Sequence, residues 1–250
     1  MKRLVPRFRR LPWWGQGLTL IVGLAGTFGG GYLALILYSQ TQSNSPQYIH
    51  RWFDDPSSRP DLTTIRRDPC PGASFILPSD GLIGLLWNDP AAPYNLFHRH
   101  SGLDIFGDGA PGTVPVYAAY DGYLTRRSDW VSTVIIRHDD PLHPGQTIWT
   151  YYTHMASEDG KTGYIAAAFP PGTQEQWVTQ GTLLGYQGEY AGSSFAPIGL
   201  HVHFSIVKSE LDGSFKNESE VSNTLDPSPY LGLNVNIKTR PARPIHCTGE

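Results

Sequence analysis

The segment Leu200-His201-Val202-His203-Phe204-Ser205-Ile206-Val207 decides how this sequence is interpreted. Its apolar and β-branched residues predict a strand. Successive side chains of a strand point to opposite faces, so His201 and His203, two residues apart, project from the same face. Two imidazoles that converge on one point form half of a typical transition-metal site. The segment therefore predicts a metal-binding β-domain.

Two upstream motifs can complete that site: His100-Ser101-Gly102-Leu103-Asp104 and Tyr151-Tyr152-Thr153-His154-Met155. Catalytic zinc sites often use two histidines and one carboxylate, which leaves a coordination position open for water. His100, Asp104 and one histidine of the strand pair satisfy that count. His154 and the other strand histidine can orient the water and stabilise an oxyanion. This set of residues predicts a metal-dependent hydrolase.

The other histidines have no such pattern, and we predict no role for them in the site. They are His50, His98, His138, His143 and His246.

Further motifs follow one another from residue 75 to residue 231. They are Pro78–Gly81, His100–Asp104, Pro115–Leu124, Val134–His138, Tyr152–Met155, Val178–Gly185, His201–Phe204 and Asp226–Leu231. In this order they resemble the lysostaphin-like, LytM-type zinc metallopeptidases, which hydrolyse peptides of the bacterial cell wall. The resemblance implies an all-β, antiparallel catalytic domain of the duplicated hybrid-motif type.

The same resemblance implies roles for five residues. His100, Asp104 and His203 would be the metal ligands for Zn²⁺, and His154 and His201 the catalytic histidines. The implied substrate is the peptide that cross-links peptidoglycan. Ser205 departs from the family, whose members often carry Glu there. The loops 139–146 and 157–175 also look long, and we expect both to flank the substrate groove.

The first 70 residues differ from the remainder in composition. Gly17–Tyr38 contains no charged residue over 22 positions, and such a helix spans ~33 Å, enough for a hydrocarbon core of ~30 Å. Five basic residues precede it, which places residues 1–16 in the cytoplasm as a tail. We predict a single transmembrane helix at 17–38, a polar linker at 39–69 and an extracytoplasmic catalytic domain at 70–250. The alternative for the first segment is a cleaved signal peptide.

Two cysteines, Cys70 and Cys247, bracket the predicted domain. Chain termini of a domain often lie close together, and thiols outside the cytoplasm oxidise, so we predict a disulfide between them. The alternative is two free thiols.

Charge and residue spacing separate several classes of function. Removing the five basic residues of the tail leaves 14 basic against 22 acidic residues, a net charge of −8. Long-range attraction to nucleic acid is therefore not expected, and we predict no nucleic-acid partner. A non-haem iron oxygenase also uses two histidines and a carboxylate, but its first histidine and acid lie two residues apart, not four. A non-catalytic wall-binding or regulatory module is the other alternative, if the 157–175 loop blocks the groove. The oligomeric state stays open.

Overall fold

The computed structural model describes residues 31, 33–39, 41–65, 68–192 and 198–249. Within them, an eight-stranded antiparallel sheet has the order β1-β2-β9-β6-β5-β4-β7, with β10 also paired to β9, and β3 pairs with β8 in a small second sheet. The strands are β1 (Leu82–Ile83), β2 (Leu103–Phe106), β3 (Pro115–Tyr117), β4 (Gly122–Thr125), β5 (Val134–Asp139), β6 (Thr147–Thr153), β7 (Gln176–Val178), β8 (Leu183–Tyr186), β9 (Val202–Lys208) and β10 (Thr224–Leu225).

Strand β9 lies in the interior of the large sheet, between β2 and β6. Its alternate side chains pack on the two opposite faces of the sheet. Val202, Phe204 and Ile206 are fully buried in the main core. Their neighbours His203 and Ser205 face the opposite side, as strand geometry requires. On that side Val207 packs with Trp149 and Ile135 in a second apolar cluster. The predicted antiparallel β-architecture is confirmed for residues 82–225.

The sequence did not predict the helices that precede the sheet. They are α1 (Ser45–Asp54) and the short α2 (Arg59–Leu62). A third helix, α3 (Ser228–Leu231), lies near the C-terminus. Short 3₁₀ helices occur at Pro56–Ser58, Val221–Asn223 and Ile237–Thr239. Helix α1 has only Ser45 and Trp52 fully buried. The helix has a clear apolar side but is polar on average, which explains why the segment was interpreted as a linker.

Part of the predicted linker is folded against the domain. Trp52 and Leu62, both buried, pack with Leu82 and Phe106 in a cluster of their own. The ring of Phe53 also meets the ring of Phe106 edge-on, with centroids 5.6 Å apart. These apolar contacts stabilise the attachment of residues 45–62, although the segment is polar in composition.

Most of the predicted membrane span lies outside the described residues, since 17–30 and 32 are among those not described. The same holds for the predicted cytoplasmic tail, 1–16. In the part of the chain that the structure describes, no helix combines the length and the apolar character needed to cross a bilayer.

The predicted disulfide is present in the structure: Cys70 and Cys247 are bonded, with Cα atoms 5.6 Å apart. Leu233 forms an isolated β-bridge with Cys247, and Gly232 accepts a hydrogen bond from the Thr248 amide. The bond therefore holds the C-terminal tail against the start of the domain.

Replacing Cys70 by serine is expected to lower the melting temperature by roughly 5–15 °C, since disulfides typically contribute ~2–4 kcal/mol and a domain of this size loses ~2–4 °C per kcal/mol. The reason is loop closure: the bond joins residues 177 positions apart. Differential scanning calorimetry checks this, with reduced wild-type protein as the control. Equal melting temperatures for the oxidised wild type and the variant would contradict it.

Candidate metal centre

Strand pairing brings two of the predicted ligands together. Asp104 of β2 lies directly opposite His203 of β9 in the antiparallel ladder. Opposite residues of such a ladder place their side chains on the same face, within contact distance. His100 precedes β2 and is fully buried. The chain therefore delivers all three side chains to one point from two adjacent strands.

The three ligand atoms are almost equidistant. His100 Nε2 lies 3.0 Å from Asp104 Oδ1 and 3.0 Å from His203 Nδ1, and His203 Nδ1 lies 2.9 Å from Asp104 Oδ1. Tetrahedral zinc ligands at ~2.0–2.1 Å would be ~3.3 Å from one another. The spacing fits a metal ion of this kind, and these residues are the only described group with metal-ligand spacing.

The outer nitrogen of each ligand imidazole has a partner that fixes its orientation. His100 Nδ1 donates to the carbonyl of Leu86 at 3.0 Å, and His203 Nε2 donates to Glu218 Oε1 at 2.8 Å. A carbonyl or carboxylate oxygen can only accept, so the proton of each neutral ring lies on its outer nitrogen. The inner nitrogens thus direct lone pairs at Asp104. Such partners orient ligands in metal sites.

Three converging lone-pair donors require a cation, and the pKa values reflect this. Burial raises the pKa of Asp104, but the charges of His100 and His201 outweigh it and hold that pKa well below its usual value. Burial lowers the pKa of His203, but Glu218 and Asp104 raise it to about 10. The carboxylates of Glu218 and Asp104 thus favour positive charge at His203, and a bound metal ion would supply it.

The glycine of the His100–Asp104 motif is required for the close approach of the two strands. A Cβ atom on Gly102 would lie 2.2 Å from the carbonyl oxygen of Phe204 and 2.9 Å from Nε2 of His203. Both contacts are too close for any side chain. Gly102 therefore allows the segment that carries His100 to lie against the strand that carries His203.

The two remaining predicted histidines lie beside this centre. The rings of His154 and His201 are 4.6 Å apart, and His201 Nε2 is 3.7 Å from Asp104 Oδ1. His154 Nδ1 donates to the carbonyl of Tyr190 at 2.7 Å, and His201 Nδ1 donates to the carbonyl of Gly199 at 3.0 Å. Each neutral ring therefore keeps a free lone pair on Nε2.

His154 occupies an unusual backbone conformation at the end of β6. Its φ of 73° lies in the left-handed region, which is uncommon for a residue with a side chain. Such strain tends to persist where function requires it. Burial, followed by the charges of His201 and His203, lowers the pKa of His154 to about 3. The ring is thus neutral near pH 7.

A cavity of about 450 Å³ opens beside the metal ligands. Its aromatic walls are Tyr94, Trp130, Tyr151 and Tyr190, and His154, His203 and Glu218 also face it. Its described lining includes no residue of 157–175 and none of 139–146. The expectation that both loops flank the groove was wrong for 139–146, since that loop joins the ends of β5 and β6 that lie away from His154.

Sequence reasoning missed Glu218, which is 15 residues beyond His203 and has no motif around it. The histidines given no role have other surroundings. His138 is buried between the carbonyl of Asp121 and Thr150, and His143 pairs with Asp140. His98, by contrast, is exposed and is one of the residues that line the cavity.

Comparisons with known proteins place the chain beside one group of solved structures. One is the catalytic domain of a variant of the prophage-encoded M23 protein EnpA from Enterococcus faecalis, with 24% identity over 48% of this chain and 76% of that chain, and a TM-score of 0.29. Another is a candidate glycyl-glycine endopeptidase, lytM, from Ruminococcus gnavus, with 23% identity over 52% of this chain and 45% of that chain, and a TM-score of 0.35. The match is to LytM-type domains.

The name of the second protein is that of the family which the sequence motifs resemble. The chain spans less than half the length of the second protein. No protein-family profile and no curated protein matches the sequence. Conclusions about chemistry therefore depend on the side chains of the metal centre.

Proposed function

We propose that this chain is a membrane-anchored zinc endopeptidase that hydrolyses the peptide cross-links of peptidoglycan. One observation supports the chemistry above all others: the ligand atoms of His100, Asp104 and His203 lie within 4.8 Å of one another, with two further histidines beside them. The motif resemblance supports the wall substrate, and the uncharged segment at 17–38 supports the anchor.

When bound, zinc would supply a Lewis acid that polarises the scissile carbonyl and lowers the pKa of water from 15.7 to ~7. His100, Asp104 and His203 would hold it, because two imidazole nitrogens and a carboxylate are the donors of many catalytic zinc sites. Iron is the alternative for this donor set, so metal analysis of the purified protein belongs in the same experiment.

The roles of His154 and His201 follow from their hydrogen bonds. Each ring donates from Nδ1 to a backbone carbonyl, and its Nε2 can take a proton from the attacking water. The resulting imidazolium can stabilise the oxyanion or protonate the departing amine. Both rings donate from Nδ1 to a backbone carbonyl, so we propose the same set of possible roles for both.

The charge of the cavity favours cleavage within a peptide rather than at its carboxyl end. Its described lining contains the carboxylates of Asp129 and Glu218 but no lysine or arginine. A carboxypeptidase needs a cation for the terminal carboxylate of its substrate. A neutral peptide segment suits this cavity better.

The non-catalytic alternative required a groove blocked by the 157–175 loop. The cavity is lined by none of that loop's residues, and His154 and His203 face into it. Nothing in the described residues favours a purely regulatory module, so we propose only the peptidase.

Purified full-length protein in detergent should release soluble fragments from peptidoglycan, and mass spectrometry should show new amino termini inside the cross-link. An Asp104→Ala variant is the matched control. Release of single terminal residues would contradict an endopeptidase. Absence of any product from zinc-loaded protein, or tight stoichiometric iron in place of zinc, would contradict the proposed reaction.

A further inference from the structure

We propose that Glu218 is a positioning residue for the metal: it fixes His203 in the tautomer and orientation that bind the ion. This inference rests on the proposed metal site. It does not depend on which bond the protein cleaves.

Glu218 joins the two segments that carry the ligands. Its Oε1 atom accepts a hydrogen bond from His203 Nε2 at 2.8 Å and another from the hydroxyl of Ser101 at 2.7 Å. Ser101 directly follows the ligand His100. Only 15% of the Glu218 side chain is exposed, so both bonds are largely shielded from water. One carboxylate oxygen therefore holds both sides of the site.

The loop that carries Glu218 is attached on both sides of that residue. Phe215 packs edge-on against Trp149 and Trp130, at 5.7 and 6.2 Å between ring centroids. Asn223 donates from its side chain to the carbonyl of Asn217 at 3.0 Å. These contacts hold the loop between β9 and β10 beside the proposed metal ligand His203. Glu218 is consequently presented to His203 by a supported loop.

The physical effect of Glu218 is on the second nitrogen of His203. A carboxylate that accepts from Nε2–H keeps the proton on that nitrogen and leaves the Nδ1 lone pair for the metal. It also prevents rotation of the ring and makes Nδ1 a stronger donor. Removal of such a partner typically weakens metal affinity or activity by ~10–100-fold.

The test is the zinc dissociation constant, measured by competition with a chromophoric chelator on the full-length protein. Glu218→Ala should bind zinc ~10–100-fold more weakly than the wild type. Glu218→Gln should lie between the two, because an amide oxygen still accepts a hydrogen bond but carries no charge. The matched control is Glu220→Ala, which removes an exposed carboxylate of the same loop and should bind zinc like the wild type.

A melting curve in excess chelator separates positioning from folding. We expect the metal-free Glu218→Gln variant to unfold in one cooperative transition above the temperature of the zinc titration, as metal-free wild type does; its melting temperature should be lower because the charge pair with His203 is lost. Unchanged zinc affinity in both Glu218 variants would overturn the inference, and so would a loss of affinity no larger than that of Glu220→Ala. A wild type that binds zinc without cleaving peptidoglycan would instead contradict the proposed function and leave this inference standing.

Discussion

Replacement of His100, Asp104 or His203 by alanine is expected to abolish stoichiometric zinc binding and hydrolysis while the β-fold survives. Each substitution removes one of three donors whose atoms lie 2.9–3.0 Å apart, and two donors cannot hold the ion against water. The fold should persist because these side chains lie beside the main apolar core, which is built from residues such as Phe204 and Leu103.

Metal content per chain, measured by plasma emission spectroscopy after dialysis, tests this directly. Circular dichroism on the same samples reports whether the sheet is intact. His143→Ala is the matched control, since that histidine pairs with Asp140 at the end of the β5–β6 hairpin away from the site. Full zinc occupancy in His203→Ala would remove that residue from the ligand set.

Local spacing predicted only that His201 and His203 share one face. They lie two residues apart at the start of β9, and the strand period places both side chains on the same side. The pairing of Asp104 with His203 required a register between distant strands, and the motif resemblance implied it before the structure placed the two residues opposite each other. Apolar and β-branched residue types likewise predicted a strand at 200–207, which became β9.

Features that depend on contacts between distant residues could not be predicted from the sequence. Glu218 reaches His203 only because Phe215 holds its loop, and no short motif encodes that arrangement. Helix α1 is held by Trp52 against Phe106, a contact across more than fifty residues. Its sequence is polar enough to suggest a linker. Burial of a single large ring can determine whether such a segment folds against a domain. For Trp52, that burial depends on the surface formed by Leu82 and Phe106, which are distant in sequence.

Helix α1 lies close to His201, one of the two histidines proposed to act in catalysis. The ring of Phe106 stacks on His201 at 4.9 Å between centroids, and the ring of Phe53 in α1 meets the Phe106 ring edge-on. A Cβ atom on Gly199 would lie 2.7 Å from the Phe53 ring, so the carbonyl that orients His201 lies directly beside α1. The helix therefore contributes to the surroundings that fix the His201 ring.

His154→Ala and His201→Ala are expected to retain zinc but to lose activity by ~10²-fold or more, the usual contribution of a general acid, base or oxyanion donor. Neither histidine belongs to the proposed ligand set, but the two rings lie 4.6 Å from each other. His201 lies beside Asp104, and His154 lies beside His203. Each Nδ1–H is already used by a backbone carbonyl, which leaves Nε2 as the atom available for the chemistry.

Zinc content and turnover measured on the same preparations distinguish this from a ligand role. Loss of zinc in a variant would identify the replaced histidine as a ligand. Normal zinc content with near-wild-type turnover would show that the imidazole does not take part in the chemistry.

The double variant, His154→Ala with His201→Ala, separates two further cases, because both rings make the same kind of hydrogen bond from Nδ1. Rings that act in one proton-transfer step should give a double loss close to the larger single loss, since groups that act as a unit are non-additive. Rings that act on independent steps should give losses that multiply.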